Sequence, residues 1–333
     1  MIFIKIYKDI PHSGLRKYRR GAEMIKVFKT TKDGLEEIRE IEKNCWVNFS
    51  NPTNGELGEL SEKLNIPLNF LTDPLDVDER ARIEMEDKCV LIILRISHFD
   101  EKDVDIPYIT LPIGIIFVED LVITVCSKDV EVISYFANGK VKNFSTESRS
   151  RFLLQVFLRT ALLYLKHLKE INKRTNAIED ELEKAMKNEE LIKLLNLEKS
   201  LVFFTTSLKS NELMMERLQK TEIVKLDPDD KELLEDVLIE NKQAIEMSNV
   251  YSNILSGMMD AFASVISNNL NVVLKFLTAI TIILMIPTFI ASLFGMNVRL
   301  PFQDHPHAFL ITLGISFTLT LISTIIFIKR KWF

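Results

Sequence analysis

The sequence predicts an α+β multidomain membrane protein, with an N-terminal cytoplasmic α/β domain, a long helical stalk and two C-terminal transmembrane helices. Three observations predict it. Residues 272 to 294, "VVLKFLTAITIILMIPTFIASLF", carry one charge, Lys275, and residues 308 to 328, "AFLITLGISFTLTLISTIIFI", carry none. Both runs reach the ~20 residues that cross a bilayer as a helix. Between Arg149 and Met285 there is one proline, Pro228, and one glycine, Gly257, so little interrupts a helix there. Further upstream, β-branched runs of strand length mix with helical spacing.

Residues 1 to 21 form a tail. Its start, "MIFIKIYKDI", is too short an apolar run for a secretory signal, and the basic "RKYRR" follows it instead of preceding it, so no secretion is expected. Residues 22 to 147 form the α/β domain: "KCVLIILRI", "YITLPIGIIFV" and "LVITVCS" read as strands, and "NGELGELSEKLN" reads as a helix capped by Thr53 or Asn54. Cys45, Cys89 and Cys126 are widely spaced and show no Cys-x-x-Cys pattern, which suggests reduced, buried thiols and no disulfide framework or zinc site. Charged residues make up 27% of the chain with a net charge of −5, ordinary for a soluble part, and no nucleic-acid partner is expected.

Residues 148 to 228 hold long antiparallel helices, placed at about 149 to 188 and 189 to 225. The stalk, residues 229 to 294, is capped by "DPDD" with Pro228 as its entry, and its membrane part is about 272 to 294. A 295 to 307 loop, a second span at 308 to 328 and a basic tail at 329 to 333 complete the order. Lys329, Arg330 and Lys331 mark the cytoplasmic side, and Trp332 suits the interface. Both termini are therefore expected in the cytoplasm, with only the 295 to 307 loop outside a cell (plasma or inner) membrane.

A helix as long as the stalk needs partners along its length. At the 3,4 spacing of a helix seam, the first span presents Asn271, Leu274, Thr278, Thr281, Met285, Thr288 and Ser292. In the same frame the stalk presents Gln243, Glu246, Val250, Asn253, Gly257, Asp260, Ser264 and Ser267. Small hydroxyl residues also serve plain helix packing. Packing does not require a stripe that stays polar on both sides of the membrane surface, whereas a watery path on a shared axis does. The stripe predicts a pore made by several copies.

The first span ends in Gly295-Met296-Asn297, preceded by "MIPTFIASLF" and followed, after the second span, by "KRKWF". With "PLNFLTDPLDVDERARIEMEDKCVLIILRI" and "SGMMDAFASVISNNLNVVLKFLT" upstream, this resembles the CorA family of divalent-cation channels over most of the chain beyond about residue 22. The resemblance implies a homopentameric funnel in the lipid bilayer, the five first spans lining a pore and Gly295, Met296 and Asn297 forming its selectivity filter. Pore positions implied by it are Asn271, Leu277, Met285 and Asn297; the seam places Thr278 where the family has Leu277, and helical drift leaves either able to face inward. It also implies magnesium as transported and regulatory ion, with cobalt as a second cargo, and Asp73 and Asp260 as carboxylates meeting across a subunit boundary to bind intracellular magnesium and hold the pore closed. Asn297 suits an entrance because magnesium dehydrates reluctantly, and an amide oxygen can accept hydrogen bonds from its water shell.

The chain departs from the family's pattern at three places. Phe294 stands where a tyrosine is common, Arg299 faces only Asp304 in a loop usually acidic, and Thr72 stands where some relatives have glutamate. Nine acids against three lysines between Glu222 and Glu246 read as a solvated helix face, and His305 and His307 read as loop residues, since their spacing around Pro306 gives no helical register. No Gly-rich Lys-Ser/Thr loop suggests a nucleotide, and no catalytic grouping suggests an enzyme. Alternatives are a cobalt, nickel or zinc transporter of the same family and, more remotely, a membrane-anchored coiled-coil scaffold or sensor, which should have apolar seam positions in its stalk.

Overall fold

The structure, a computed structural model, describes residues 25–32, 34–100, 106–139, 141, 144–184, 188–221, 223–297, 301, 306–330 and 332. It divides into two compact units, one ending at Ser256 and one beginning at Gly257.

The first unit is built on strands β1 (Ile25–Thr31), β2 (Gly34–Ile38), β3 (Cys45–Ser50), β4 (Arg82–Glu86), β5 (Cys89–Phe99), β6 (Tyr108–Val118) and β7 (Leu121–Cys126). They form one sheet in the order β2-β1-β3-β7-β6-β5-β4, in which β3 and β7 run parallel and every other pair is antiparallel. Two-residue loops join β4 to β5 and β6 to β7, and Asp87 and Glu119 adopt left-handed backbone there, at φ 52° and 46°. That geometry matches the twist of the strands it joins.

Alternation along β5 sends its side chains to opposite faces. Ile92, Leu94 and Ile96 enter one core with helices α3 (Glu131–Ala137), α4 (Arg149–Lys184), α5 (Asn188–Lys220) and the start of α6 (Pro228–Phe294). Leu91 and Ile93 enter the other, under α1 (Asn54–Leu64) and α2 (Leu68–Thr72). Helix α1 starts as its sequence suggests, with the Glu56 carboxylate accepting hydrogen bonds from both the backbone N–H and the hydroxyl of Thr53, at 2.7 and 2.8 Å. Trp46 anchors the first core by stacking on Phe28 and donating its indole N–H to Thr124 at 2.8 Å. All three cysteines are buried and free.

In the second unit, α6 continues to Phe294 and α7 spans Ala308–Lys329. Both contain stretches long and apolar enough to cross a membrane. On α6 the buried or half-buried positions past Leu277 are Ala279, Ile280, Ile283, Ile286, Ile290, Leu293 and Phe294, a helical stripe. On α7, Thr312, Ser316, Thr320 and Thr324 are half-buried at four-residue intervals, a row of small residues of the kind that lets helices approach closely.

Candidate functional site

The seam residues of the first span occupy one face of α6. Asn271, Leu274, Leu277, Thr278, Thr281, Met285, Thr288 and Ser292 are all exposed on the single chain. At ~100° per residue they centre about 150° away from the shielded stripe through Ala279, Ile283, Ile286 and Ile290. Leu277 and Thr278 lie on either side of that centre, roughly 60° and 40° from it. The hydroxyls of Thr278, Thr281 and Thr288 donate to the carbonyls of Leu274, Leu277 and Leu284 at 2.7, 2.8 and 3.0 Å. Their polar atoms are thereby satisfied within the helix, which lets the residues stand on an apolar span.

At the end of α6, Gly295 donates to the carbonyls of Ala291 and Ser292, and Met296 to that of Leu293. Gly295 stands at the helix end, where a glycine can let the backbone turn sharply. Its backbone does not enter the left-handed region, however, and a Cβ there would meet only Ala291 O at 3.4 Å and Ser292 O at 3.6 Å, so neither strain nor crowding demands glycine. Met296 and Asn297 are exposed beyond it. Arg299, Asp304 and His305 of the following loop, Lys331 of the basic tail and the tail at 1 to 21 lie outside the described residues.

Asp73 opens a 3₁₀ turn, Asp73–Leu75, directly after α2. Gly114 of β6 sets the position of that turn. A Cβ at Gly114 would stand 2.3 Å from Pro74 Cγ and 2.9 Å from Pro74 Cβ, so the proline ring packs where any side chain would collide. The Asp73 carboxylate is not a bare surface acid. Its Oδ2 accepts from Arg82 Nη2 at 2.7 Å, and the same guanidinium pairs with Glu79 through Nη1 and with Glu84 through Nε at 3.1 Å. Arg82 and Asp73 side chains are 30% and 28% exposed, so this pair is only partly screened by water.

Behind the turn lies a second arginine that sequence reasoning missed. Arg95, in the middle of β5, donates to the carbonyls of Val77 (2.8 Å), Glu79 (2.5 Å) and Thr110 (3.1 Å), and to the hydroxyls of Thr110 (2.8 Å) and Ser207 (2.9 Å). Burial pulls its pKa down, against the fields of nearby Tyr164, Asp78 and Glu79. Asn211 holds both backbone groups of Arg95, at 2.9 and 2.7 Å, and Ala81 N–H donates to Ser210. The segment just past Asp73 is thus tied to α5. Helix α5 is tied in turn to α6, through Asn241 donating to Leu208 O at 3.1 Å and Ser248 donating to Leu201 O at 3.1 Å. A lone arginine inside the apolar run "LIILRISHF" was the available signal.

The acid-rich stretch is less uniform than its composition suggested. Asp230 is buried at 4% exposure and takes an ion pair from Arg151 at 3.4 Å, so it is a structural acid and not part of a solvated face. Asp260 is exposed on α6 in the second unit. Among the described residues, no group of three or more His, Cys, Asp or Glu side chains in the single chain could hold a metal ion. The hard carboxylate oxygens of Asp73 and Asp260 suit magnesium, which keeps much of its water when bound by one or two carboxylates. The Asp73 carboxylate is engaged by Arg82 in the single chain.

A sheet-and-helix head followed by two membrane-length helices, the first with a polar face turned away from its shielded stripe, defines a two-span membrane transport protein. The comparisons make the class specific. Residues 42–330 match the model of the CorA-like Mg2+ transporter protein family, and the chain belongs to that family. It is 29% identical to the cobalt/magnesium transport protein CorA of Methanocaldococcus jannaschii over 93% of this chain and all of the relative. With the protein of the same name from Thermotoga maritima it shares 22% identity over 93% of this chain and 90% of that one. The complete structure of the CorA magnesium transporter from Methanocaldococcus jannaschii superposes with a TM-score of 0.80 at 25% identity, covering 94% of this chain and all of that chain.

Proposed function

We propose that the protein is a pentameric channel for divalent cations that admits magnesium down its electrochemical gradient, with both termini in the cytoplasm of the cell whose plasma or inner membrane it spans. The observation that carries this reading is the polar face of α6. Its residues are exposed on the single chain and point away from the shielded stripe, as residues around a common axis would. Asn297 amide oxygens at the outer end accept hydrogen bonds from the water shell of the ion, with Gly295 and Met296 completing the filter. Leu274, Leu277 and Met285 form apolar constrictions that close by dewetting, and Asn271 makes a polar ring at the inner end. Thr278, Thr281, Thr288 and Ser292 keep the path between them wet.

Intracellular magnesium bound between Asp73 of one copy and Asp260 of the next holds the closed arrangement. Two facing acids repel, and an ion between them reverses that, so falling magnesium releases the subunits. The names of the relatives add cobalt as a second cargo of the same pathway. Flux into proteoliposomes with each ion, with and without cobalt hexaammine, is the test. Wild-type flux is expected to be blocked by the hexaammine, which mimics a fully hydrated ion, and Asn297→Ala is expected to lose at least ~10-fold of its flux, as removal of a hydrogen-bonding ring costs ~1.4 kcal/mol or more. Unchanged flux in that variant removes Asn297 from the filter.

A further inference from the structure

We propose that Arg82 is a built-in competitor for the Asp73 carboxylate, setting the magnesium concentration at which the sensor fills. The inference rests on Asp73 acting as a sensor ligand. It goes beyond that reading by naming what occupies the ligand when the ion is absent.

The geometry on which it stands is the three-carboxylate cluster on one guanidinium. Arg82 holds Asp73 at 2.7 Å and Glu84 at 3.1 Å, and pairs with Glu79 as well. A charge-assisted contact of this kind is among the stronger hydrogen bonds a surface can make. Arginine cannot lose its proton at physiological pH, so this counter-charge is permanent. Magnesium arriving at Asp73 must therefore displace a fixed cation from one oxygen of that carboxylate.

The other two acids make the exchange possible. When Asp73 turns to the ion, Glu79 and Glu84 remain on Arg82, so the guanidinium is never left without a partner. Both are close neighbours in the chain, Glu79 three residues before Arg82 and Glu84 two after it. In the ion-free state Arg82 also shields Asp73 from other carboxylates, which lowers the repulsion that magnesium binding would relieve. Both effects shift half-saturation toward higher magnesium. Carboxylates offered without such a partner would fill at a lower concentration of the ion.

The test uses full-length protein in lipid nanodiscs and reads protection from chymotrypsin as magnesium chloride is raised, a readout independent of transport. Chymotrypsin is chosen because removing an arginine would itself alter cleavage by trypsin. Arg82→Met is expected to reach half-protection at about one tenth of the wild-type magnesium concentration, the change given by losing ~1.4 kcal/mol of competing contact. Should that variant fail to assemble, Arg82→Gln removes the charge while keeping polar reach to Glu84, and reads the same quantity. Arg80→Met removes an equal charge two residues away and is expected to shift the midpoint far less.

A midpoint that stays put or rises in Arg82→Met overturns the inference, since Arg82 would then be neutral toward the ion or would position Asp73 for it. An equal shift in Arg80→Met also overturns it, because a general field would then account for the effect. Asp73→Asn separates this from the reading beneath it. If that variant keeps wild-type protection, the sensor role of Asp73 itself fails. If it loses protection while Arg82→Met does not lower the midpoint, only the competition fails.

Discussion

His167 shows how a single buried side chain makes the head domain sensitive to acid. Its Nδ1 meets Ser97 Oγ at 3.0 Å, its ring packs against Tyr108 and Phe204, and only 3% of the residue is exposed. Burial first, and the neighbouring Lys166 second, push its pKa down to about 4, with Glu131 opposing. A histidine with a lowered folded value binds protons more readily once unfolded, so its contribution to stability is complete above the unfolded value of ~6.5 and is lost as pH falls toward the folded value. Between those limits the slope is up to ~1.4 kcal/mol per pH unit. The thermal midpoint of the purified protein is expected to fall between pH 6.5 and pH 4, and His167→Asn is expected to flatten that fall. An unchanged pH profile in the variant would mean that His167 is not the group responsible. Nothing in the sequence around His167 marks it, because its burial depends on β5 and β6 lying beneath α4. Arg95 is the same kind of case, since the hydroxyls of Thr110 and Ser207 that it serves come from β6 and α5.

Strand β6 positions the candidate sensor by what it lacks. With Gly114 under the Pro74 ring, the Asp73–Leu75 turn lies against the sheet at a distance no side chain permits. Gly114→Ala is expected to destabilise the protein by about 1–3 kcal/mol, as overpacking does, and to raise the magnesium needed for chymotrypsin protection by displacing Asp73. Denaturant unfolding and the protection midpoint check the two parts, and a variant as stable as wild type would show that the turn can retreat freely. At this scale the interior strands were the legible ones. Their β-branched runs fill both faces of the sheet, and β5, β6 and β7 fall on the three runs the sequence offers. Strands β2, "GLEEI", and β4, "RIEME", are short edges with few buried side chains, so composition hides them among loop residues. Helix α5 ends at Lys220 where spacing suggested 225, because a helix end is marked by its cap and not by the apolar period; residues 185 to 187, next to the suggested end of α4 at 188, lie outside the described residues.

For the whole molecule, Asp73 and Asp260 belong to different compact units, and among the described residues neither belongs to a group of three or more metal-ligating side chains within one chain. The proposed assembly completes the site with a second copy, and thiol chemistry can test this. The three native cysteines are buried, and burial pushes the Cys126 thiol up to about 11, so the natural background is quiet. Oxidising the Asp73→Cys/Asp260→Cys variant at saturating divalent cation is expected to give a ladder of linked chains reaching five on a denaturing gel. A band at the single-chain mass alone would show that the two positions do not meet between copies. The two membrane-length helices could be read from the sequence because membrane thickness and helix period act locally. The surroundings of Asp73 could not, since the turn, its glycine bed and its arginine come from three separate segments. One feature of the first span also bears on the sign of the charge it would pass. The hydroxyl protons of Thr278, Thr281 and Thr288 are committed to the backbone of their own helix, so these groups offer only lone pairs to the water beside them. Water wrapped around a cation turns its hydrogens outward and meets acceptors at these three threonines, while water wrapped around an anion turns its oxygens outward and finds no donor among them. Rejection of chloride can thus arise along this face without an ionised side chain.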